Sequence, residues 1–194
     1  DRQERIATKI RMDLAAGRTV SDSLFDGLFS HECHDLSEVH WTPLEVVLAA
    51  ADLLEPSADS RILDVGSGCG KFCLAAAMSS PGRWTGIEIR PELSAEARRL
   101  QALFRAKRTE FIEGDACQPD WGRYTGFYLY NPFYENILPH GDRRRPHIQA
   151  KLRACPPGTR AVTYHGFGAP VPEGWFRRRL LKIGSGELEL WERA

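Results

Sequence analysis

The sequence predicts an α/β fold: a parallel sheet covered by helices on both faces. From Arg61 onward short apolar runs alternate with helix-patterned runs, "RILDV", "KFCLAAAMS", "RWTGIEI" and "PELSAEARRLQALFRAK". Such alternation marks strands joined by helical crossovers. Three glycines, Gly66, Gly68 and Gly70, stand at the first strand-to-helix turn. Backbone can approach a ligand closely there, and the following helix N-terminus favours negative charge. Finally, the tail "RRRLLKIGSGELELWER" is two β-like runs around Gly184-Ser185-Gly186, a hairpin pattern. The sheet is therefore expected to close antiparallel, whereas the plain dinucleotide-binding fold ends on parallel strands.

The elements follow in order. Ile6, Ile10 and Leu14 lie at helical spacing over residues 2–16, and Gly17 is a stop. A short helix from Ser21 would bury Leu24, Phe25 and Leu28. In "HWTPLEVVLAAADLLE", Thr42 suits the N-cap, Pro43 the first helical position, and Glu45 completes a capping box. That helix should reach about Glu55. After the alternating segment, "TEFIEGD" and "GFYLYN" read as strands, His147–Ala154 as a helix and "RAVTYHG" as a strand.

A chain of 194 residues favours one hydrophobic core. Lys+Arg and Asp+Glu both number 26, so no global field draws the chain to nucleic acid or to an anionic membrane. No apolar run is long enough to span a bilayer, and "DRQERIATKIRMDL" lacks the apolar stretch of a signal peptide. The five cysteines, Cys33, Cys69, Cys73, Cys117 and Cys155, form no CxxC pair. An odd, scattered set fits reduced thiols and a cytoplasmic location.

The glycines read G-x-G-x-G after Asp64, neither the G-x-G-x-x-G of dinucleotide sites nor a phosphate-binding loop ending in G-K-[ST]. Taken alone they also fit a tight structural turn. Two acids narrow the choice. Glu88 ends the second strand, where an open sheet offers a carboxylate to ribose hydroxyls. Asp115 ends the third strand and can accept a hydrogen bond from an adenine amino group.

On these residues the sequence resembles the class I S-adenosylmethionine-dependent methyltransferases. "ILDVGSGCG" is similar to their glycine-rich first motif, "GIEIRPEL" to the second, "FIEGDA" to the third and "LYNPFYEN" to the fourth. The likeness covers roughly residues 40–194. It implies a three-layer, Rossmann-like sheet of seven strands with a reversed last strand. Asp64, Gly66, Gly68 and Gly70 would form the cofactor loop, with Gly66 and Gly68 against the methionine part. Glu88 would bind the ribose diol, and Asp115 with the backbone of Ala116 the adenine. S-adenosyl-L-homocysteine would be the product.

The fourth motif, Tyr130 to Glu135, is similar to the N-P-P-[YF] loop of methyltransferases acting on amino nitrogens. By that likeness Asn131 and the Pro132 carbonyl would accept hydrogen bonds from the target amine, Asn131 also facing the cofactor, and Tyr134 would stack on the acceptor. Phe133 stands where the second proline is expected. Thr42-Pro43 matches a Thr-Pro element near the cofactor carboxylate in some amino-methyltransferases, and Trp41 would cover the cofactor. Residues 1–40 would be a helical extension covering the cofactor or acceptor, and residues 41–194 the methyltransferase domain.

Other readings stay open. The domain could bind cofactor without catalysing, or be a dinucleotide-dependent oxidoreductase. The acceptor could be a protein side chain, a small molecule or a nucleic acid, and the chain a monomer or weak homodimer. His31, Cys33, His34 and His40 are metal-ligand types, but their spacing matches no zinc pattern, so no metal is expected. Arg143–Arg145 and Arg177–Arg179 are basic runs that suit a solvated face or a nucleic-acid footprint.

Overall fold

The computed structural model describes residues 1–37, 41–130, 141–167 and 170–194. The chain opens with helices α1 (Arg2–Ala15), α2 (Asp22–Asp26), α3 (His31–Ser37) and α4 (Leu44–Leu54). Ile10 and Leu14 of α1 are buried, as their spacing requires. Ser21 caps α2 through its hydroxyl, which accepts from the Leu24 amide at 3.3 Å. Helix α3 has no apolar periodicity and was not expected. It is attached to the core by Cys33.

The start of α4 differs from the sequence expectation. Pro43 is the cap residue and Leu44 the first helical residue. The Thr42 hydroxyl lies buried, 3.0 Å from the Tyr128 hydroxyl. A buried hydroxyl needs a partner, and Tyr128 needs one equally, so the pair outcompetes local capping. The Leu44 amide donates instead to Asp22 Oδ1 of α2, at 2.9 Å.

Strands β1 (Arg61–Val65), β2 (Arg83–Glu88), β3 (Thr109–Glu113), β4 (Gly126–Tyr130), β5 (Arg160–Tyr164), β6 (Trp175–Ile183) and β7 (Gly186–Arg193) form one sheet, in the order β3-β2-β1-β4-β5-β7-β6. The first five run parallel. β7 is antiparallel to both neighbours, as the tail pattern requires. Helices α5 (Lys71–Ser79), α6 (Pro91–Phe104) and α7 (Gly141–Arg153) complete the fold. α7 begins before Pro146, earlier than expected.

The sheet separates two cores. On one face the side chains of α1, α2, α4, α5 and α6 meet Trp84 and Tyr128, and Phe72 stacks on Tyr128 with ring centroids 3.8 Å apart. Each such buried aromatic contributes about 1.5–3 kcal/mol. On the other face Ile148 and Leu152 of α7 pack with Trp121, Trp175 and Trp191. The parallel strands all end on one edge, where an open α/β sheet holds its ligands. Among the described residues no helix is long and apolar enough to cross a membrane.

Candidate functional site

At that edge β1 runs into the glycine loop. The amides of Gly66 and Ser67 both donate to the Ile87 carbonyl, at 2.9 and 3.0 Å, which ties the loop to β2. Gly66, Gly68 and Gly70 have φ of 80°, 53° and 81°, a region where an L side chain is strained. They differ in what a side chain would meet. A Cβ on Gly66 or Gly68 would find nothing within 4 Å, whereas one on Gly70 would lie 2.6 Å from the Phe111 ring. Gly66 and Gly68 thus face open space, and Gly70 makes room for the core.

Glu88 reaches into this loop from the end of β2. It is 4% exposed. Its Oε2 accepts from the Gly68 amide at 2.9 Å, and its Oε1 from the amide and Nε of Arg90, both at 3.0 Å. A carboxylate offers about four acceptor positions, so capacity remains beside the open face of the loop. Asp115, at the end of the third strand segment, accepts from the Cys117 amide at 2.9 Å and pairs with Arg144 Nε at 3.0 Å. Burial works against its charge, but the Cys117 bonds and Arg144 outweigh it and hold the carboxyl below its ordinary range. The Ala116 carbonyl accepts from the Trp121 indole at 2.9 Å.

Asp64 faces inward. It is buried, and Cys73 Sγ donates to its Oδ2 at 3.8 Å. Burial, and next the nearby Glu88 charge, push its carboxyl up to about 8.

The N-terminal helices border the loop. Lys71, directly after Gly70, is buried and pairs with Asp22 at 2.6 Å and Asp26 at 2.7 Å of α2. Trp41 packs on Phe29 and His34, with centroids 4.4 and 4.8 Å apart, and lies 6.0 Å from Lys71 Nζ. Cys33 and Cys69 are joined by a disulfide, with Cα atoms 6.8 Å apart. This corrects the expectation of five reduced thiols. The partners are 36 positions apart, and only the packing of α3 against the loop brings them together.

Beyond β4, Asn131, Pro132 and Tyr134 lie outside the described residues, as does His40. At the end of β4, Tyr130 stands 5.3 Å from Tyr164 and 5.7 Å from His165, centroid to centroid. His165 has φ 64°, rare for a residue with a side chain. Among the described residues no three His, Cys, Asp or Glu side chains are grouped to hold a metal. Arg177 and Arg178 pair with Glu189 and Glu192 on β7, and Arg144 with Asp115. Sequence reasoning missed Lys71 and His165, and met Arg144 only within a basic run. Of the two missed, only Lys71 left a signal, its place next to the glycine motif.

The sheet order, the open glycine turn and the carboxylates on consecutive strand ends are those of the class I, Rossmann-like methyltransferase fold, and the comparisons with known proteins point to the same class. A family model for protein-L-isoaspartate(D-aspartate) O-methyltransferase matches residues 39–133. The chain is 26% identical over 134 residues to protein-L-isoaspartate O-methyltransferase 2 of Archaeoglobus fulgidus, covering 61% of each. It is 31% identical over 100 residues to release factor glutamine methyltransferase of Vibrio cholerae, covering 50% of this chain and 34% of that one. The chain thus spans less than two thirds of the length of either relative. An RNA methyltransferase from Salinibacter ruber, solved with S-adenosyl-L-homocysteine, superposes with a TM-score of 0.63 at 25% identity, over 79% of this chain and 93% of that one.

Proposed function

We propose that this chain methylates an amino nitrogen, using S-adenosylmethionine. The observation that carries the cofactor half is the pairing of Gly68 with Glu88 under open space. An amide-anchored carboxylate lies at the second strand end, beside two glycines that leave the crevice clear. The bound cofactor would supply an already activated methyl group, so the protein's work is positioning. Gly66 and Gly68 would let the methionine portion lie against backbone. Glu88 would accept from the ribose hydroxyls with its remaining lone pairs, and Asp115, shared with Arg144, from the adenine amine. Residues 1–40 would cover this side, since Lys71 and Trp41 already bind them to the loop.

The nitrogen half rests on the sequence Asn131-Pro132-Phe133-Tyr134 after β4. Asn131 and the Pro132 carbonyl would orient the amine lone pair at the methyl group, and Tyr134 would stack on the acceptor. The Vibrio relative, named for a glutamine acceptor, favours the same reading. The matched family model favours another, since it is named for an oxygen acceptor.

Transfer of labelled methyl groups into a cell extract, split into protein, nucleic-acid and small-molecule fractions, tests both halves. Label should enter a nitrogen, and Asn131→Ala should lose roughly 10²-fold in turnover with cofactor affinity near wild type. Tyr134→Ala should raise KM. Label in an oxygen, or normal turnover by Asn131→Ala, would replace the nitrogen reading. Cofactor binding without transfer to any fraction would favour a domain that binds without catalysing.

A further inference from the structure

The Cys33–Cys69 disulfide joins two segments that do different work. Cys69 lies within the glycine loop, between Gly68, whose amide holds Glu88, and Gly70, which starts α5. Cys33 belongs to α3. The loop does not depend on this bond for its attachment to the sheet, because Gly66 and Ser67 are already bonded to Ile87. Nor does the N-terminal segment depend on it up to residue 30. Asp22 and Asp26 hold Lys71, the Leu28 carbonyl accepts from Arg99 at 2.6 Å, and the Ser30 amide donates to Glu96 at 2.7 Å. What the disulfide adds is a covalent fastening of α3 to the backbone stretch that faces the open space.

We propose that Cys33 and Cys69 form a reversible thiol–disulfide site that controls exchange of the ligand held by the glycine loop. Oxidised, the pair locks α3 against the loop and slows ligand entry and release. Reduced, it frees α3 from the loop. This rests on the reading that the loop holds S-adenosylmethionine.

The reductant is a dithiol. One of its thiolates attacks a cysteine sulfur, the S–S bond breaks, and the other cysteine leaves as a thiolate that takes up a proton. The dithiol's second sulfur then displaces the first cysteine, leaving two protein thiols and an oxidised dithiol. Two electrons and two protons pass to the protein. A low-molecular-weight disulfide such as oxidised glutathione takes them back in the reverse reaction.

Both cysteines are buried, at 1% and 2% exposed, so attack requires local opening of the residues that cover the bond. A ligand seated against the loop would also cover the bond. The bond retards ligand exchange, and bound ligand retards reduction. Cys73, four positions on, is buried and engaged with Asp64, which keeps it out of the exchange.

The test uses the whole chain, equilibrated with either oxidised glutathione or dithiothreitol and checked by peptide mapping without reductant. The oxidised sample should yield a peptide cross-linked through Cys33 and Cys69. Labelled S-adenosyl-L-homocysteine should dissociate severalfold faster from the reduced form. Cys33→Ser should release it at that faster rate in both buffers. Should that variant not fold, reduced wild type carries the comparison. Hydrogen exchange read in parallel should quicken at residues 31–37 and 66–70 on reduction. Equal dissociation rates from the two forms, or no cross-linked peptide after oxidation, would overturn the proposal. If the ligand binds neither form, the cofactor reading fails by itself. Hydrogen exchange then still decides the latch, and unchanged exchange at both segments would overturn it.

Discussion

Glu88 bridges structure and ligand: one oxygen positions Gly68, the other holds Arg90. Removing the carboxylate deletes a charged acceptor for the ribose and loosens the loop together. Hydrogen bonds to charged groups contribute about 1.5–3 kcal/mol each, so Glu88→Ala should weaken S-adenosyl-L-homocysteine binding by one to two orders of magnitude in calorimetry. Unchanged affinity would remove Glu88 from the site. Asp64 makes a different prediction. Its carboxyl is pushed up to about 8 in the folded chain, first by burial and then by Glu88, from an ordinary value of 3.8. Between those values the unfolded chain releases the proton and the folded chain keeps it. Stability from this group is therefore present in full below pH 4 and is lost as pH rises to about 8, by about 1.4 kcal/mol per pH unit. Asp64→Asn cannot titrate, so urea denaturation should show its stability gaining on wild type by about 2–3 kcal/mol between pH 5.5 and 7.5. Parallel pH profiles would mean that Asp64 is ionised.

At the scale of elements, the N-terminus of α5 is where the molecule's parts meet. The helix begins at a glycine that clears Phe111, and its first side chain, Lys71, turns into a pocket formed by α2. Burial raises the carboxyl of Asp26, and the Lys71 ammonium opposes that shift. Breaking a fully buried ion pair costs about 3–5 kcal/mol. Asp22 is 45% exposed, so Lys71→Met should cost less, about 2–3 kcal/mol in denaturant titration. The loss should be accompanied by faster hydrogen exchange through α2. If stability fell while α2 stayed protected, the ion pairs would not be what holds that helix to α5. The start of α4 follows the same logic, because Asp22 also takes the Leu44 amide that Thr42 was expected to cap near.

For the molecule as a whole, the extension is continuous with the core. Ala7, Ile10, Leu14 and Phe25 belong to the same apolar cluster as Trp84 and Phe104, and Phe25 stacks on Phe104 at 5.1 Å. A chain reduced to residues 41–194 would expose that face of α5 and α6. It should lose its cooperative thermal transition and bind an apolar dye, as expanded states with exposed hydrophobic surface do. A sharp transition near the full chain's Tm would instead make residues 1–40 a detachable cover.

The sequence by itself determined the sheet and its ligand edge. Both are written in local terms: apolar runs of strand length, glycines where φ must be positive, acids at strand ends, and a hairpin at the tail. Each can be read within a dozen residues because each answers to backbone sterics and periodicity. Where neighbours distant in the chain decide, sequence reasoning stopped. Thr42 was placed by its local capping pattern, but a tyrosine 86 positions away claimed its hydroxyl. Arg144 and His165 carry no local mark that sets them at the site, and Lys71 carries only its place after the glycines. Cys33 and Cys69 were legible only as scattered thiols, because nothing in their spacing encodes that α3 comes to rest on the glycine loop. Tertiary structure decided those features, since burial, ion pairing and disulfide formation depend on which groups are close in space.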